Sequence, residues 1–300
     1  MQLTRLGSSS LMVSPVGLGG MSLKGGTTKH NTEILLQAVD AGINYFDTAD
    51  LYERGMNEEL IGQALRSVRD QVVIATKVGN QWRSDGSTWD WKASKPYIIK
   101  AVEASLSRLR TDRIDLYQLH GGTIDDPIEE IIEAFEELVN AGKIRYYGLS
   151  SIRPNVIGAY AEKSNIVSVM MQYSLLDRRP EDVFSMLQKN GIGLISRGAL
   201  TQGLLIDKPL EQYLQLTSSE VGHAKRSVER LAQKLGVSTL QVLLSYVLSQ
   251  DVVDVAVVGV RTLAQIRDLQ AASQKLMPFS SAALADLTSG LRRLAYMEHR

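Results

Sequence analysis

Apolar runs of strand length alternate with stretches of helical periodicity along most of the chain. This alternation is typical of α/β proteins with a parallel sheet, and eight repeats over roughly 250 residues predict a (β/α)8 TIM barrel. The predicted strands are 16–18, 43–46, 72–76, 114–119, 144–149, 167–171, 193–195 and 255–258. The predicted helices are 32–41, 58–65, 95–109, 127–140, 155–162, 181–189, 224–250 with a break at Gly236, and 263–272.

An N-terminal β-hairpin is predicted before the first barrel strand, with arms at 2–4 and 11–13. No break in composition divides the chain, so residues 1–300 are predicted to form one domain. The competing interpretation is a doubly wound sheet, which normally carries a glycine-rich turn after its first strand. Residues 17–22 resemble that turn but have Ser22 at the third glycine position. We interpret them as a strand end where glycines allow a ligand to approach closely.

Charge and cysteine content narrow the possible partners. Lysine plus arginine and aspartate plus glutamate number 33 each, which gives no indication of a nucleic-acid or anionic-membrane partner. The absence of cysteine excludes disulfides and thiolate metal sites. The longest apolar stretch, 240–260, is interrupted by Gln250, Asp251 and Asp254, so no membrane span is predicted. The N-terminus lacks the apolar run of a signal peptide, and we expect a cytoplasmic protein.

Four polar residues lie at or just after the ends of successive predicted strands. Asp47, Lys77 and His120 each close a strand, and Tyr52 follows Asp47 after a short loop. In a parallel barrel they would converge on the C-terminal face, where active sites are built. A tyrosine, with an ordinary pKa near ~10, can donate its proton if a cation stabilises the phenolate. We expect Lys77 to be that cation, Asp47 to balance its charge, and His120 to orient the proton acceptor.

Each of the four residues alone also fits a structural role, such as a turn cap or a core histidine. Three stretches around them resemble the signatures of the aldo-keto reductases, namely 40–62, 107–120 and 142–151. The resemblance covers nearly the whole chain and implies an NADPH-dependent reductase acting on an aldehyde or ketone. It makes Tyr52 the general acid, tuned by Lys77 and Asp47, and it gives His120 the role of orienting the carbonyl.

The resemblance also implies a nicotinamide dinucleotide site on the strand ends and the loops after them. Its predicted members are Gly20, Met21, Asp47, Ser150, Ser151, Gln172, Arg197, Gly198, Leu200 and Gly203. Ser151 stands where the family usually has Asn, and Met170 stands where it usually has Gln, with Gln172 two positions later. Arg197 falls where many members have an aromatic residue that stacks on the cofactor, and a planar guanidinium can stack as well.

Residues 258–269 resemble the family's adenosine site. The turn at Gly259 precedes a helix start, where free backbone N–H groups suit a phosphate. Arg261 can pair with a ribose 2′-phosphate, which favours NADP(H) over NAD, and Gln265 is predicted to contribute to the same site. The alternative is that Arg261 is a solvated surface residue. Leu269 stands where the family often has Asn, which weakens one predicted adenine contact.

Two long segments are candidates for the wall of the substrate pocket and for a lid over the cofactor. The loop 79–94 holds all three tryptophans, which either face an apolar or aromatic carbonyl compound or cover a small core of the loop's own. Segment 201–223 is predicted to be either a mobile lid over the cofactor or disordered. Further candidates for substrate contact are Met21, Tyr146 and Tyr173.

Three functional classes fit the chain to different degrees. A carbonyl reductase fits all the motifs, with a small-molecule carbonyl as its partner. A metal-dependent barrel hydrolase needs several convergent imidazoles or carboxylates, and only one of the four histidines ends a strand. A regulatory subunit that keeps the barrel but turns over little is left open, although the complete set of four residues argues against it. The sequence predicts neither the physiological substrate nor the oligomeric state.

Overall fold

The computed structural model describes residues 1–298, so the last two residues of the predicted domain lie outside the described part. Its strands are β1 (Thr4–Arg5), β2 (Met12–Val13), β3 (Val16–Gly19), β4 (Tyr45–Asp47), β5 (Val73–Val78), β6 (Asn80–Trp82), β7 (Trp89–Trp91), β8 (Ile114–Leu119), β9 (Ile144–Ser150), β10 (Ser168–Gln172), β11 (Gly193–Arg197) and β12 (Val253–Val258). Its α-helices are α1 (Thr28–Asp40), α2 (Met56–Leu65), α3 (Lys95–Leu109), α4 (Ile128–Asn140), α5 (Pro154–Lys163), α6 (Phe184–Lys189), α7 (Ser218–Leu235), α8 (Thr239–Leu248), α9 (Leu263–Ser273) and α10 (Ser281–Thr288).

Eight parallel strands close into a barrel in the order β3, β4, β5, β8, β9, β10, β11, β12, with β12 pairing back to β3. The predicted (β/α)8 barrel and its eight strands are therefore confirmed. The closing pair aligns Ala256 with Val16 and Val258 with Leu18. Because the strands are parallel, all their carboxyl ends open at the same face of the barrel.

The interior of the barrel is apolar toward the amino ends of the strands. Leu116, Met170, Ile195 and Val255 contribute to this inner cluster. Since side chains alternate along a strand, the residues two positions after Met170 and Ile195, Gln172 and Arg197, also point inward, one layer nearer the open face. The open end of the barrel therefore has polar side chains where the closed end has apolar ones.

The N-terminal hairpin, β1 with β2, closes the amino end of the barrel. Leu6, Leu11 and Val13 from the hairpin pack into the inner cluster. At its tip, Gly7 has a φ of +50° and donates its N–H to Asp254 Oδ2 at 2.7 Å. A Cβ at Gly7 would lie 2.1 Å from a main-chain carbonyl oxygen, so only glycine fits at this position.

Several elements differ from the predicted ones. The loop after β5 forms its own antiparallel hairpin, β6 with β7, in which Trp82 pairs with Trp89. The break predicted at Gly236 in helix 224–250 is present, since Gly236 has a φ of +65° and ends α7 before α8 begins. Helix α7 begins earlier than predicted because Thr217 and Glu220 form a capping box. Helix α10 was not predicted.

The segment 201–223 forms ordered backbone structure. It contains a short 3₁₀ turn at Thr201–Gly203, a turn in which Tyr213 and Leu216 pair, and the first residues of α7. None of the helices within residues 1–298 is long and apolar enough by itself to cross a membrane. By length and composition alone, the bent pair α7 and α8, which meet at 101°, passes the same test together.

Candidate active site

A buried ion pair lies at the open end of the barrel. Lys77, near the end of β5, donates from Nζ to Asp47 Oδ1 at 2.6 Å and to the carbonyl oxygen of Thr48 at 2.7 Å. Lys77 is only 1% exposed. A buried ammonium requires such partners, and neighbouring strands supply them because β4 and β5 are paired. The pair therefore fixes the position of the Lys77 ammonium at the base of the open face.

Tyr52 lies over this charge. The chain leaves β4 and turns through a 3₁₀ helix, Tyr52–Gly55, in which Glu53 and Arg54 adopt left-handed conformations. The Tyr52 hydroxyl lies 3.5 Å from Lys77 Nζ, and the ammonium lies 5.1 Å from the centre of the ring. The His120 ring meets the Tyr52 ring edge-on, with centroids 5.8 Å apart. The structure thus brings together all four residues that the strand-end pattern predicted.

The electrostatics of these groups favour a charged lysine and a neutral histidine. Burial alone would lower the pKa of Lys77, but the Asp47 carboxylate and the Tyr52 hydroxyl outweigh it and raise that pKa. Burial, with further contributions from Lys77 and Arg197, lowers the pKa of His120 to about 3. At neutral pH His120 is therefore an uncharged imidazole with one N–H donor and one acceptor. Its Nδ1 is buried and has no hydrogen-bond partner within the described chain.

Gln118 belongs to the same site, although it was not predicted. Its Nε2 donates to Asp47 Oδ2 at 3.4 Å, and the residue is fully buried. Gln118 precedes His120 by two positions on β8, so strand alternation places both on the inner face. That alternation was the available signal, and a buried amide on the inner face would have been found by applying it.

A second polar cluster lies outside the barrel wall, between β5 and the helices α2 and α3. Glu58 is fully buried and accepts hydrogen bonds from Thr76 Oγ1 at 2.6 Å and Arg108 Nε at 2.7 Å. Asp50 lies within electrostatic reach, and its Oδ1 is buried without a hydrogen-bond partner among residues 1–298. Burial and the neighbouring Glu58 raise the pKa of Asp50 to about 8. This cluster flanks the loop that carries Tyr52.

Three of the predicted cofactor residues point into the open end of the barrel. Ser150 on β9 aligns with Met170 of β10, and Gln172 aligns with Arg197 of β11. Arg197 acts electrostatically on Asp47 and His120 from across the barrel. These side chains therefore form a polar rim around the site.

Ser151, Gly20 and Met21 have other surroundings. The Ser151 hydroxyl accepts the backbone N–H of Arg153 at 3.2 Å, and the residue is buried, so it caps the loop after β9. Gly20 packs against Asn57, whose Oδ1 would lie 2.4 Å from an added Cβ. Met21 is 66% exposed.

The loop after β11 turns tightly at two glycines. Gly198 and Gly203 have φ values of +73° and +88°, and Gly203 ends the 3₁₀ turn that follows the half-buried Leu200. A Cβ at Gly198 would lie 3.3 Å from Gln172 Cγ. The backbone of this loop therefore lies directly beside the Gln172 side chain.

The predicted adenosine site lies at the start of α9. Arg261 is exposed, and its backbone N–H donates to Gln265 Oε1 at 2.7 Å. The predicted Gln265 therefore caps the loop before the helix. His30 Nε2 lies 3.0 Å from the Arg261 carbonyl oxygen, which ties α1 to this turn. Gly259 packs against Ser22, whose Cβ would lie 2.9 Å from an added Cβ.

The tryptophan loop is anchored by two of its three indoles. Trp82 donates to the carbonyl oxygen of Leu51, next to Tyr52, at 3.1 Å, and Trp91 donates to Asp126 at 2.8 Å. The third, Trp89, packs edge-on against Trp82 and is 47% exposed. Trp82 and Trp91 therefore tie the tryptophan loop to the loops after β4 and β8, whereas the contact between Trp82 and Trp89 lies within the loop.

Two predicted substrate contacts lie elsewhere in the molecule. The Tyr146 hydroxyl bonds to the main chain and side chain of Ser10, in the hairpin at the closed end. Tyr173 is fully buried and packs between Phe184 and Tyr246. Within residues 1–298, no group of three or more histidine, aspartate or glutamate side chains is placed to hold a metal ion.

Comparisons with known proteins give a consistent result. A model of the Aldo/keto reductase family matches residues 15–290. The protein named uncharacterized oxidoreductase YqkF, from Bacillus subtilis (strain 168), is 46% identical over 311 residues, and both chains are covered completely. The holo form of aldo-keto reductase AKR11C1 from Bacillus halodurans is 44% identical with a TM-score of 0.94, covering 100% of this chain and 99% of its own. The glycerol dehydrogenase AKR11B4 from Gluconobacter oxydans is 25% identical with a TM-score of 0.86, covering 97% and 96%.

Proposed function

Because the chain is an oxidoreductase that belongs to the aldo/keto reductase family, we propose that it reduces an aldehyde or ketone to an alcohol with NADPH. One observation carries the proposal, namely that the buried ion pair of Lys77 and Asp47 faces the Tyr52 hydroxyl at the open end of the barrel. This is the arrangement that a tyrosine needs in order to act as a general acid.

The residues at the open end fit a nicotinamide dinucleotide. Ser150 and Gln172 offer a hydroxyl and an amide on the inner face, which suit the hydrogen-bonding groups of a carboxamide. Arg197 offers a planar cation at the same level. The glycine turn at Gly198 brings backbone close to the Gln172 side chain of this rim. When bound, the nicotinamide dinucleotide supplies the hydride that reduces the carbonyl carbon.

Tyr52 supplies the proton in the proposed mechanism. Its hydroxyl donates to the carbonyl oxygen of the substrate as negative charge develops there. The Lys77 ammonium stabilises the phenolate that remains, and its own charge is held by Asp47, which is in turn held by Gln118. A fixed charge in a buried site acts more strongly than it would in water, because the local dielectric constant is low.

His120 orients the substrate in the same mechanism. Since the pKa of His120 lies far below neutrality, the imidazole stays uncharged. Its single N–H can donate a hydrogen bond to the carbonyl oxygen. The edge-on contact with the Tyr52 ring places both groups on the same side of the open end. We propose that Trp89, exposed on the tryptophan loop, contributes to the wall around the substrate.

The preference for NADP(H) is proposed on the basis of Arg261. Its side chain is exposed at the start of α9, where the free N–H groups of the helix end and the guanidinium can act on one phosphate. The 2′-phosphate distinguishes NADPH from NADH, so a residue that binds it determines the choice between them.

Binding and turnover test the proposal together. The purified protein is titrated with NADPH and, separately, with NADH while fluorescence is followed. Reduced-nicotinamide absorbance is then followed with a panel of aldehydes, ketones and dicarbonyls. We expect tight NADPH binding and turnover. Binding without turnover on any of them would favour a regulatory subunit, and no binding of either dinucleotide would refute the proposal.

A further inference from the structure

A tight turn in segment 201–223 carries one buried tyrosine to the open end of the barrel. Tyr213 and Leu216 exchange backbone hydrogen bonds of 3.1 and 2.9 Å, and Leu214 between them has a φ of +54°. Tyr213 is 5% exposed and Leu216 is 3% exposed, whereas their neighbours on both sides are exposed. The turn therefore directs Tyr213 and Leu216 inward from a stretch, 207–219, whose other residues are exposed.

The Tyr213 hydroxyl meets the side chain of Gln172. Gln172 Nε2 donates to Tyr213 Oη at 2.7 Å. Gln172 is the last residue of β10 and points into the barrel beside Arg197. Gly198 also lies beside Gln172, and an added Cβ there would lie 3.3 Å from Gln172 Cγ. The Gln172 side chain therefore contacts the turn and lies close to the loop after β11.

The surroundings of the hydroxyl keep this contact neutral. Burial raises the pKa of Tyr213, so the hydroxyl keeps its proton at neutral pH. It accepts from Gln172 and retains its own hydrogen for a second bond, for which the neighbouring Ser174 side chain is within reach. A neutral, buried hydroxyl of this kind fixes the orientation of its partner without adding charge to the site.

We propose that Tyr213 is a positioning residue for the nicotinamide end of the cofactor. Its hydroxyl occupies one N–H of the Gln172 amide, which leaves Gln172 Oε1 to accept a hydrogen bond from the N–H₂ of the nicotinamide carboxamide. This inference rests on the proposed function, because it assigns Gln172 to that carboxamide. It links segment 201–223 to the recognition of the nicotinamide through one hydrogen bond.

Different residues are assigned to the two halves of the cofactor. Tyr213 acts on the nicotinamide half through Gln172, whereas the adenosine half is assigned to Arg261 on a different element. Loss of the Tyr213 hydroxyl should therefore weaken NADPH and NADH by the same factor. It should leave the affinity for 2′,5′-ADP, which lacks a nicotinamide, unchanged.

The test uses Tyr213→Phe, which removes the hydroxyl and keeps the ring in the core. We expect the Kd for NADPH to rise about three- to tenfold, the scale of one hydrogen bond, together with a lower kcat. The matched control is Tyr160→Phe, which removes a buried hydroxyl on α5 that has no hydrogen-bond partner in the described chain. It should leave the affinity for NADPH at the wild-type value.

A double-mutant cycle with Gln172→Leu separates positioning from packing. If Tyr213 acts through Gln172, Tyr213→Phe should change NADPH affinity little once Gln172 is already leucine. Equal effects in both backgrounds, or a parallel loss of affinity for 2′,5′-ADP, would overturn the inference and show that Tyr213 only packs the segment. Wild-type NADPH affinity in Tyr213→Phe would also overturn it and leave the proposed function intact, whereas failure of the wild-type protein to bind NADPH or NADH would overturn both.

Discussion

The two ends of the barrel are built from the same eight strands but differ in the polarity of their inward-facing side chains. At the amino end, the inward positions are apolar and the N-terminal hairpin seals them with Leu6, Leu11 and Val13. At the carboxyl end, the inward positions include the polar side chains of Asp47, Lys77 and Gln172. Burial of apolar surface stabilises the first end, whereas fixed charges and amides prepare the second for chemistry. The apolar contacts that stabilise the barrel and the residues proposed for catalysis therefore lie at opposite ends of its axis.

The largest expected effect is at the open end. Tyr52→Phe removes the proposed proton donor but keeps the ring that contacts His120 and Lys77. We expect carbonyl reduction to fall by ~10²–10⁴-fold, the usual contribution of a general acid, with NADPH affinity and unfolding temperature near the wild-type values. Steady-state kinetics and cofactor titration measure this. Unchanged turnover would mean that Tyr52 is not the acid.

The matching change at the closed end is Gly7→Ala. The new Cβ would lie 2.1 Å from the Val167 carbonyl oxygen at a φ of +50°, so the hairpin must shift from its seat. We expect the free energy of unfolding to fall by about 3 kcal/mol, with kcat unchanged in the protein that remains folded.

Gly142→Ala is the control for that variant. Gly142 also has a positive φ, +71°, but an added Cβ there meets nothing within 4 Å. It should cost only about 1 kcal/mol, from backbone conformation alone. A loss of kcat in folded Gly7→Ala would show that the closed end and the open end of the barrel are coupled.

A smaller effect is expected at the start of α9. Arg261→Ala should weaken NADPH binding by about 1.5–3 kcal/mol, the scale of a charge-assisted hydrogen bond, and leave NADH binding nearly unchanged. Titration with both dinucleotides measures the difference. Equal weakening of NADPH and NADH binding would mean that Arg261 does not bind the 2′-phosphate. No residue would then explain the proposed preference for NADP(H).

The smallest expected effect is a pH dependence of stability from Asp50. Because its pKa is raised to about 8 in the folded protein, the folded state holds a proton that the unfolded state has lost above about pH 4. Stability attributable to Asp50 therefore decreases as pH rises toward 8. Asp50→Asn should therefore raise the free energy of unfolding relative to the wild type by more at pH 8 than at pH 5. Denaturant titrations at both pH values measure this, and a pH-independent difference would contradict it.

The sequence predicted the open end well because its key residues lie in regular structure. Strand periodicity located Asp47, Lys77 and His120, and parallel pairing implied that they meet. Depth within the barrel was harder to predict, because strand alternation reveals which side chains point inward but not how far along the axis they lie. Tyr146 lies on an inward-facing strand position yet bonds to Ser10 at the closed end, so it was wrongly expected near the substrate.

Contacts made by irregular segments were not predictable in this way. Tyr213 and Gln172 are 41 positions apart, and the turn that joins them depends on a left-handed Leu214 that no sequence period indicates. The same holds for the hairpin of β6 and β7, whose pairing is set by local turns within a loop. The catalytic and cofactor roles of the residues at the open end remain predictions that the variants above can test.

Closure of the barrel has a consequence for how the chain acquires its structure. Strand β12 pairs with β3, and Asp254 holds the hairpin tip at Gly7, a contact that spans 247 positions. Neither contact can form until the chain through β12 has left the ribosome. During synthesis, the earlier strands therefore present unpaired edges and apolar faces to other nascent chains, and assembly is governed by late, long-range pairing.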